Sequence, residues 1–242
     1  MPSSPSRQDK LDRLFAKPFA HRGLHGPGRV ENSPAAFRAA IEIGHGIELD
    51  VQASGDGEAI VFHDYDLKRL AGADGRLAEM TAAAIAEFTL SGNGEAIPNL
   101  PQVLALIGGR APLLIEVKLP GRRVAALSRA VLRALDGYDG PVAVMSFNPE
   151  IGRWFARNAP QVLRGLVVTE EGKPERGRLK RKLALWRSKA DFLAYDIRDL
   201  PSAFAGGQRA RGMTITTWTV RTEAQRETAA SHADQIIHEL PQ

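Results

Sequence analysis

The chain has 242 residues, 43% of them hydrophobic, with a formal net charge of +4 and no cysteine. That length suffices for one sizeable domain spanning 1–242, and the missing cysteines exclude disulfides and thiolate metal ligation, leaving carboxylate, imidazole or water to hold any metal. The mild positive charge suits an anionic ligand without implying nucleic acid. Residues 1–17 lack the apolar core of a secretory signal and no run reaches membrane-spanning length, so a cytoplasmic protein without stable membrane insertion is expected.

In chain order, a polar tail precedes a short apolar strand, 18–20, that delivers His21-Arg22-Gly23 at its C-terminal end. Glu31-Asn32-Ser33-Pro34 then opens a helix with Ser33 as N-cap, Pro34 in the first turn and Gly44 as the stop. A strand over 46–51 carries Glu48 and Asp50, which share a face because strand side chains alternate. Ser54-Gly55-Asp56-Gly57 is a turn signal, and 59–63 returns as the second arm of a β-hairpin. Folding back about Gly55-Asp56 sets His63 opposite Glu48 and Val61 opposite Asp50. Residues 65–98 read as a small insertion with a short helix over 81–88.

Regular alternation then resumes: a helix over 100–107, a strand over 112–118 bearing Glu116 and Lys118 on one face, and a helix over 124–135. Strands over 142–145, 162–168, 192–195, 213–218 and 235–237 follow, separated by helices over 149–158, 178–188, 201–209 and 223–230. Without the second hairpin arm, about eight strands alternate with helices, the pattern of an α/β (β/α)8 TIM barrel with a small insertion after the hairpin that follows strand 2. A doubly wound open sheet would also fit the alternation, but no phosphate-binding glycine fingerprint follows the first strand. Residues 173–189 hold eight Lys and Arg. Leu179, Leu183 and Trp186 fall at i, i+4 and i+7, so this segment is read as an amphipathic barrel helix with a solvated basic face, in preference to a nucleic-acid or membrane element.

Barrel enzymes gather their chemistry at the C-terminal ends of the strands, where His21, Glu48, Asp50, Glu116, Lys118 and Trp218 all fall. Three carboxylates make a site of hard oxygen ligands, suited to one divalent cation, Mg²⁺ or Ca²⁺. Arg22 can pair with phosphate oxygens and Lys118 can add a point charge. His21 and His63 titrate near neutrality and can divide acid and base work. Together these parts describe phosphodiester cleavage. His25, His45, His232 and His238 have no motif around them and read as surface residues. Trp218 reads as a pocket wall or as core packing.

The chain resembles the glycerophosphodiester phosphodiesterase family, through HRG at 21–23, ENS at 31–33 where the family usually has ENT, IELDV at 47–51, VFHD at 61–64, IEVK at 115–118, SFNPE at 146–150 and WTV at 218–220. The resemblance implies a phosphodiesterase TIM barrel that cleaves glycerophosphodiesters to glycerol 3-phosphate and an alcohol with a divalent metal. Carried over, it implies metal ligation by Glu48, Asp50 and Glu116, acid/base catalysis by His21 and His63, phosphate contacts by Arg22 and Lys118, and Glu31 beside the metal or Arg22. Two departures bear on the rim and substrate choice: Arg221 where the family often has Asn, and Ile237-His238-Glu239-Leu240-Pro241 in place of a turn with Thr-Asp. The alternatives are a non-catalytic barrel that binds phosphodiesters and a phosphodiesterase of the lysophospholipase D type.

Overall fold

A computed structural model describes residues 5–171 and 177–240. The first element is a helix, α1 (Arg7–Leu14), begun by a capping box in which Ser6 and Asp9 satisfy each other's backbone N–H. It corrects the reading of residues 1–17 as a polar tail. Strand β1 (Phe19–Ala20), helix α2 (Pro34–Glu42), and strands β2 (Gly46–Ala53) and β3 (Ala59–Val61) follow. Ser33 caps α2 by accepting from the amide of Ala36, with Pro34 in the first turn. The insertion holds two short helices, α3 (Lys68–Ala71) and α4 (Ala82–Ala86). The remaining pairs are α5 (Leu100–Ile107) and β4 (Leu113–Val117), α6 (Ala125–Ala134) and β5 (Val142–Ser146), α7 (Pro149–Asn158) and β6 (Leu163–Val168), α8 (Arg178–Ser188) and β7 (Phe192–Asp196), α9 (Ala203–Arg209) and β8 (Thr214–Val220), and α10 (Glu223–His232) and β9 (Gln235–His238).

Eight parallel strands close on themselves, because β1 pairs with both β9 and β2 while β2 passes over β3 to pair with β4. This is the expected TIM barrel. β3 lies outside the ring, antiparallel to β2, as the sequence implies, but its register is one residue away from the expected one. Val51 pairs with Val61 and Gln52 with Ile60, and the amide of Phe62 donates to the carbonyl of Asp50. His63 therefore lies past the end of β3 rather than opposite Glu48. The cause is local: Ser54 caps the turn itself, accepting from the amide of Glu58 and donating to Asp56, which fixes a longer loop than a fold-back centred on Gly55-Asp56.

The barrel interior is filled by Phe19, Leu114, Met145, Leu163, Val167 and Phe192. Leu11 and Leu14 of α1 join this cluster, so α1 stoppers the end of the barrel opposite the strands' C-termini. The insertion has an apolar cluster of its own, in which Leu67, Leu70, Leu77 and Ile85 pack against Ile60 and Phe62.

Helix α8 reverses the expected orientation. Leu179, Leu183 and Trp186 are 79%, 56% and 63% exposed, while Ala184 and Leu185 pack on the barrel core and Ser188 is buried. Small residues set the contact: a Cβ on Gly152 of α7 would fall 2.6 Å from the carbonyl oxygen of Ser188, and bulky side chains do not fit so close a crossing. Lys173, Glu175 and Arg176 of the basic run, and Pro241, lie outside the described residues.

Candidate active site

The turn after β1 sets the first group of side chains. Arg22 has φ of 55° and Gly23 of 78°, left-handed conformations that favour glycine and strain an arginine. A Cβ on Gly23 would also fall 2.8 Å from Cβ of Ala36. The turn is tied to β2, since the amide of Arg22 donates to Oε2 of Glu48 at 3.0 Å and that of Gly23 to the Glu48 carbonyl at 3.2 Å. Sequence strain and acid cluster are thus joined at one residue.

Strand alternation puts Glu48 and Asp50 on one face of β2, and the parallel register sets Asp50 beside Glu116 on β4. Ligand atoms of Glu48, Asp50 and Glu116 all lie within 4.8 Å of one another, with Glu48 and Asp50 each 2% exposed. Asp50 has compensation: burial would raise its pKa, but Arg22 Nε at 3.3 Å, Lys118 Nζ at 3.6 Å and the Asn32 amide at 2.9 Å bring it below the usual carboxylate range. Burial, then repulsion by Asp50 and Glu116, pushes Glu48 well up, and burial with repulsion by Asp50 pushes Glu116 up to about 8. Crowded, buried carboxylates of this kind call for a cation among them, and an all-oxygen donor set suits a hard divalent ion. The residues present fit such an ion.

Lys118 pairs with Asp50 and not with Glu116, its neighbour on the same strand face. Glu31 accepts from Nη1 of Arg22 at 2.7 Å and from both terminal nitrogens of Arg69 at 2.8 Å. Although burial opposes it, the two guanidiniums hold Glu31 at a pKa of about 2. It therefore anchors Arg22.

Both histidines are gripped at Nδ1 by a carboxylate. His21 Nδ1 lies 2.6 Å from Oε1 of Glu239, leaving Nε2 4.0 Å from Oε2 of Glu48. Arg221 in turn holds Glu239, at 2.6 and 2.9 Å. His63 Nδ1 lies 2.6 Å from Oδ1 of Asp64, which Arg69 of the insertion clamps at 2.6 and 2.8 Å. The side-chain amide of Gln52 donates to the carbonyls of Phe62, His63 and Asp64, fixing the loop that carries His63. Burial lowers the pKa of both rings, although the Glu239 hydrogen bond opposes this at His21 and the charge of Asp50 opposes it at His63. His21, His25 and Glu239 also have ligand atoms within 4.8 Å, but the guanidinium on Glu239 supplies the positive charge that a metal would bring there.

Asn32, Asp64, Arg69 and Gln52 have no role in the sequence reading, and Arg221 and Glu239 enter it only as departures at the rim, not as partners of His21. Asn32 and Asp64 sit inside the ENS and VFHD segments, where their neighbours drew the attention. Arg221 and Glu239 fall at the two departures from the family pattern, and they are ion-paired with each other. Two histidines read as surface residues are not: His238 is 3% exposed and meets Nδ1 of His45 at 3.0 Å, and His25 Nε2 lies 3.8 Å from Glu239. His232 is exposed as expected.

The rim is apolar on one side. Phe147 packs edge-on against Trp218, ring centroids 5.6 Å apart, and the indole N–H is already donated to the Ala194 carbonyl at 3.0 Å. Trp218 thus offers a wall without a polar tip. A concavity of about 320 Å³ beside Glu116 and Lys118 reaches Tyr65 and Phe147. A larger one, about 650 Å³ between Lys10, Arg129, Tyr138 and Gln161, lies at the opposite end of the barrel and holds none of these acids or histidines.

Comparison with known proteins agrees with this geometry. Residues 21–238 match the family described as the Glycerophosphoryl diester phosphodiesterase family. A glycerophosphodiester phosphodiesterase of Caldanaerobacter subterraneus subsp. tengcongensis is 30% identical over 239 residues, covering 93% of this chain and 94% of the relative. A solved phosphodiesterase of Oleispira antarctica, in complex with the product sn-glycerol-3-phosphate, shares the fold with a TM-score of 0.81 at 22% identity, over 93% of each chain. A solved glycerophosphodiester phosphodiesterase of Agrobacterium tumefaciens is 27% identical with a TM-score of 0.68, over 92% of this chain and 95% of that one.

Proposed function

The chain belongs to the glycerophosphoryl diester phosphodiesterase family, and from that premise we propose that it hydrolyses glycerophosphodiesters to sn-glycerol 3-phosphate and an alcohol, with one divalent cation, Mg²⁺ or Ca²⁺, at Glu48, Asp50 and Glu116 and with His21 and His63 sharing the proton transfers. The observation that carries the reading is the pairing of three crowded carboxylates, Glu48 and Asp50 buried and Glu116 part-buried, with two histidines that each have a carboxylate on Nδ1. When bound, the cation would neutralise phosphate oxygens and make phosphorus a better electrophile.

The chain's own residues do the rest. With Nδ1 occupied by Glu239 or Asp64, each ring keeps Nε2 for proton exchange, and the carboxylate stabilises the imidazolium once it forms. One histidine takes the proton of the attacking hydroxyl and the other gives its proton to the leaving alkoxide. If the glycerol hydroxyl next to the phosphate attacks, the first step gives a cyclic phosphate and the free alcohol. Water then opens the ring with the two histidines in exchanged roles. Trapping the cyclic phosphate distinguishes this route from direct attack by water. Arg22 and Lys118 supply positive charge for the phosphate, Glu31 keeps Arg22 in place, and Trp218 with Phe147 walls the alcohol side.

The direct test is release of glycerol 3-phosphate from glycerophosphocholine, with and without a chelator. Cation-dependent release supports the reading. Tight binding of several glycerophosphodiesters with no turnover of any would replace it with a non-catalytic phosphodiester-binding barrel.

A further inference from the structure

The outward face of α8 has no function in the site described above, and its composition is unusual for a solvated helix. Leu179, Leu183 and Trp186 make one exposed apolar stripe. Around it, the helix and the residue after it carry Arg178, Lys180, Arg181, Lys182, Arg187 and Lys189, with no acid between 178 and 189. Arg187 is paired with Glu150 and Arg181 with Glu170. Arg178, Lys180 and Lys182 are exposed and have no ion-pair partner among the described residues. Lys189 lies over the Trp186 ring, 5.1 Å from its centroid, so a cation and the widest apolar surface of the stripe are presented together.

A second feature adjoins the stripe. Between α8 and α9 opens a cleft of about 230 Å³ whose walls include Arg178, Arg181, Lys182 and Arg211 and, among the described residues, the single acid Glu170. The apolar stripe and the basic cleft lie on one helix, and because Arg181 reaches Glu170 just past the end of β6, the start of α8 is level with the mouth of the barrel.

We propose that α8 docks this protein on an anionic lipid surface, with Leu179, Leu183 and Trp186 in the headgroup boundary and the α8–α9 cleft taking a phosphate-bearing headgroup. An apolar stripe bordered by Lys and Arg, with Trp at its edge, is the composition of helices that lie in a membrane interface. A nucleic-acid duplex would use the cations but leaves three large apolar side chains in water. This docking is peripheral and consistent with the absence, among the described residues, of any helix long and apolar enough to cross a membrane. It stands independently of the catalytic reading, since none of these side chains belongs to the acid and histidine cluster.

The test is co-sedimentation of the full chain with vesicles of phosphatidylcholine alone and of phosphatidylcholine with about a third phosphatidylglycerol, where each cation near the surface contributes about a fivefold gain in partition. The expected result is at least about tenfold stronger partition onto the anionic vesicles, weakened by salt. A triple variant, Leu179→Ser with Leu183→Ser and Trp186→Ser, and a double variant, Lys180→Glu with Lys182→Glu, are each expected to lose about tenfold or more. Both keep the wild-type melting temperature and the wild-type rate on soluble glycerophosphocholine. Equal partition onto the two vesicle types, or undiminished partition of the folded triple variant, overturns the proposal. So does tighter binding to a DNA duplex than to vesicles, or self-association that the triple variant abolishes with no vesicle binding in the wild type. A wild type that binds anionic vesicles but releases no glycerol 3-phosphate counts against the catalytic reading and leaves the docking surface standing.

Discussion

Nδ1 of His21 lies 2.6 Å from Oε1 of Glu239. The contact spans the chain from the first barrel strand to just past the last, and it fixes both the orientation and the tautomer of the ring, leaving Nε2 toward the acid cluster. Replacing Glu239 by Ala is expected to lower kcat by about ten- to a hundredfold, the size of loss seen when a carboxylate that orients a histidine is removed and less than removal of the acid–base group itself, with KM little changed. Gln at 239 keeps an acceptor without the charge and is expected to fall between the two. A merely structural role for Glu239 would leave kcat intact in folded variants, and steady-state kinetics of the three proteins decide it.

The acid cluster makes a prediction about stability. Glu116 is pushed from 4.5 up to about 8, first by burial and then by Asp50. A carboxyl whose folded pKa is raised stabilises the fold fully below its free value and loses that contribution as the pH rises through the folded value. The cation-free protein is therefore expected to lose stability between about pH 4.5 and 8. Glu116→Gln should melt a few degrees higher than wild type in chelator at pH 8, while a divalent cation should raise the wild type more than the variant. Calorimetry showing no effect of cation on the wild type would remove the cluster from metal binding.

His238 predicts the opposite limb. Burial, then the neighbouring His45, brings its pKa from 6.5 to about 4, so its contribution is full above about pH 6.5 and is lost as the pH falls through about 4. The effect is on the order of 3 kcal/mol at its limit. Urea titrations across that range should show a flatter pH dependence for His238→Gln than for wild type.

At the closed end of the barrel, Leu14 is fully buried among the interior side chains. Leu14→Ala is expected to cost about 2–5 kcal/mol by the cavity it leaves, measurable as a lower denaturation midpoint. A cost near zero would mean that α1 is not a working stopper.

Periodicity made the barrel legible because each buried strand and each capped helix carries its own signal, as at Ser33-Pro34 for α2 or Leu113–Val117 for β4. α1 escaped because only Leu11 and Leu14 of its eight residues are buried, too few for an apolar stripe in an otherwise polar segment. The clustering of Glu48, Asp50 and Glu116 was legible from strand alternation. The hairpin register was not, because Ser54 and Asp56 set the turn by side-chain hydrogen bonds that spacing does not reveal. Glu239 and Arg221 could only be seen as departures, since their contact with His21 depends on how the barrel closes. On α8, two faces share the helical period. Which one is buried was decided by the small residues Gly152 and Ser188 at the helix crossing, not by hydrophobicity.

The most direct measurement of the account is the rate of glycerol 3-phosphate release by His21→Ala and His63→Ala, each folded and supplied with divalent cation, beside the wild type. Both are expected to fall by at least about a hundredfold with melting temperatures unchanged. A near-wild-type rate in either variant would contradict the shared proton transfer and leave that histidine without a part in the reaction.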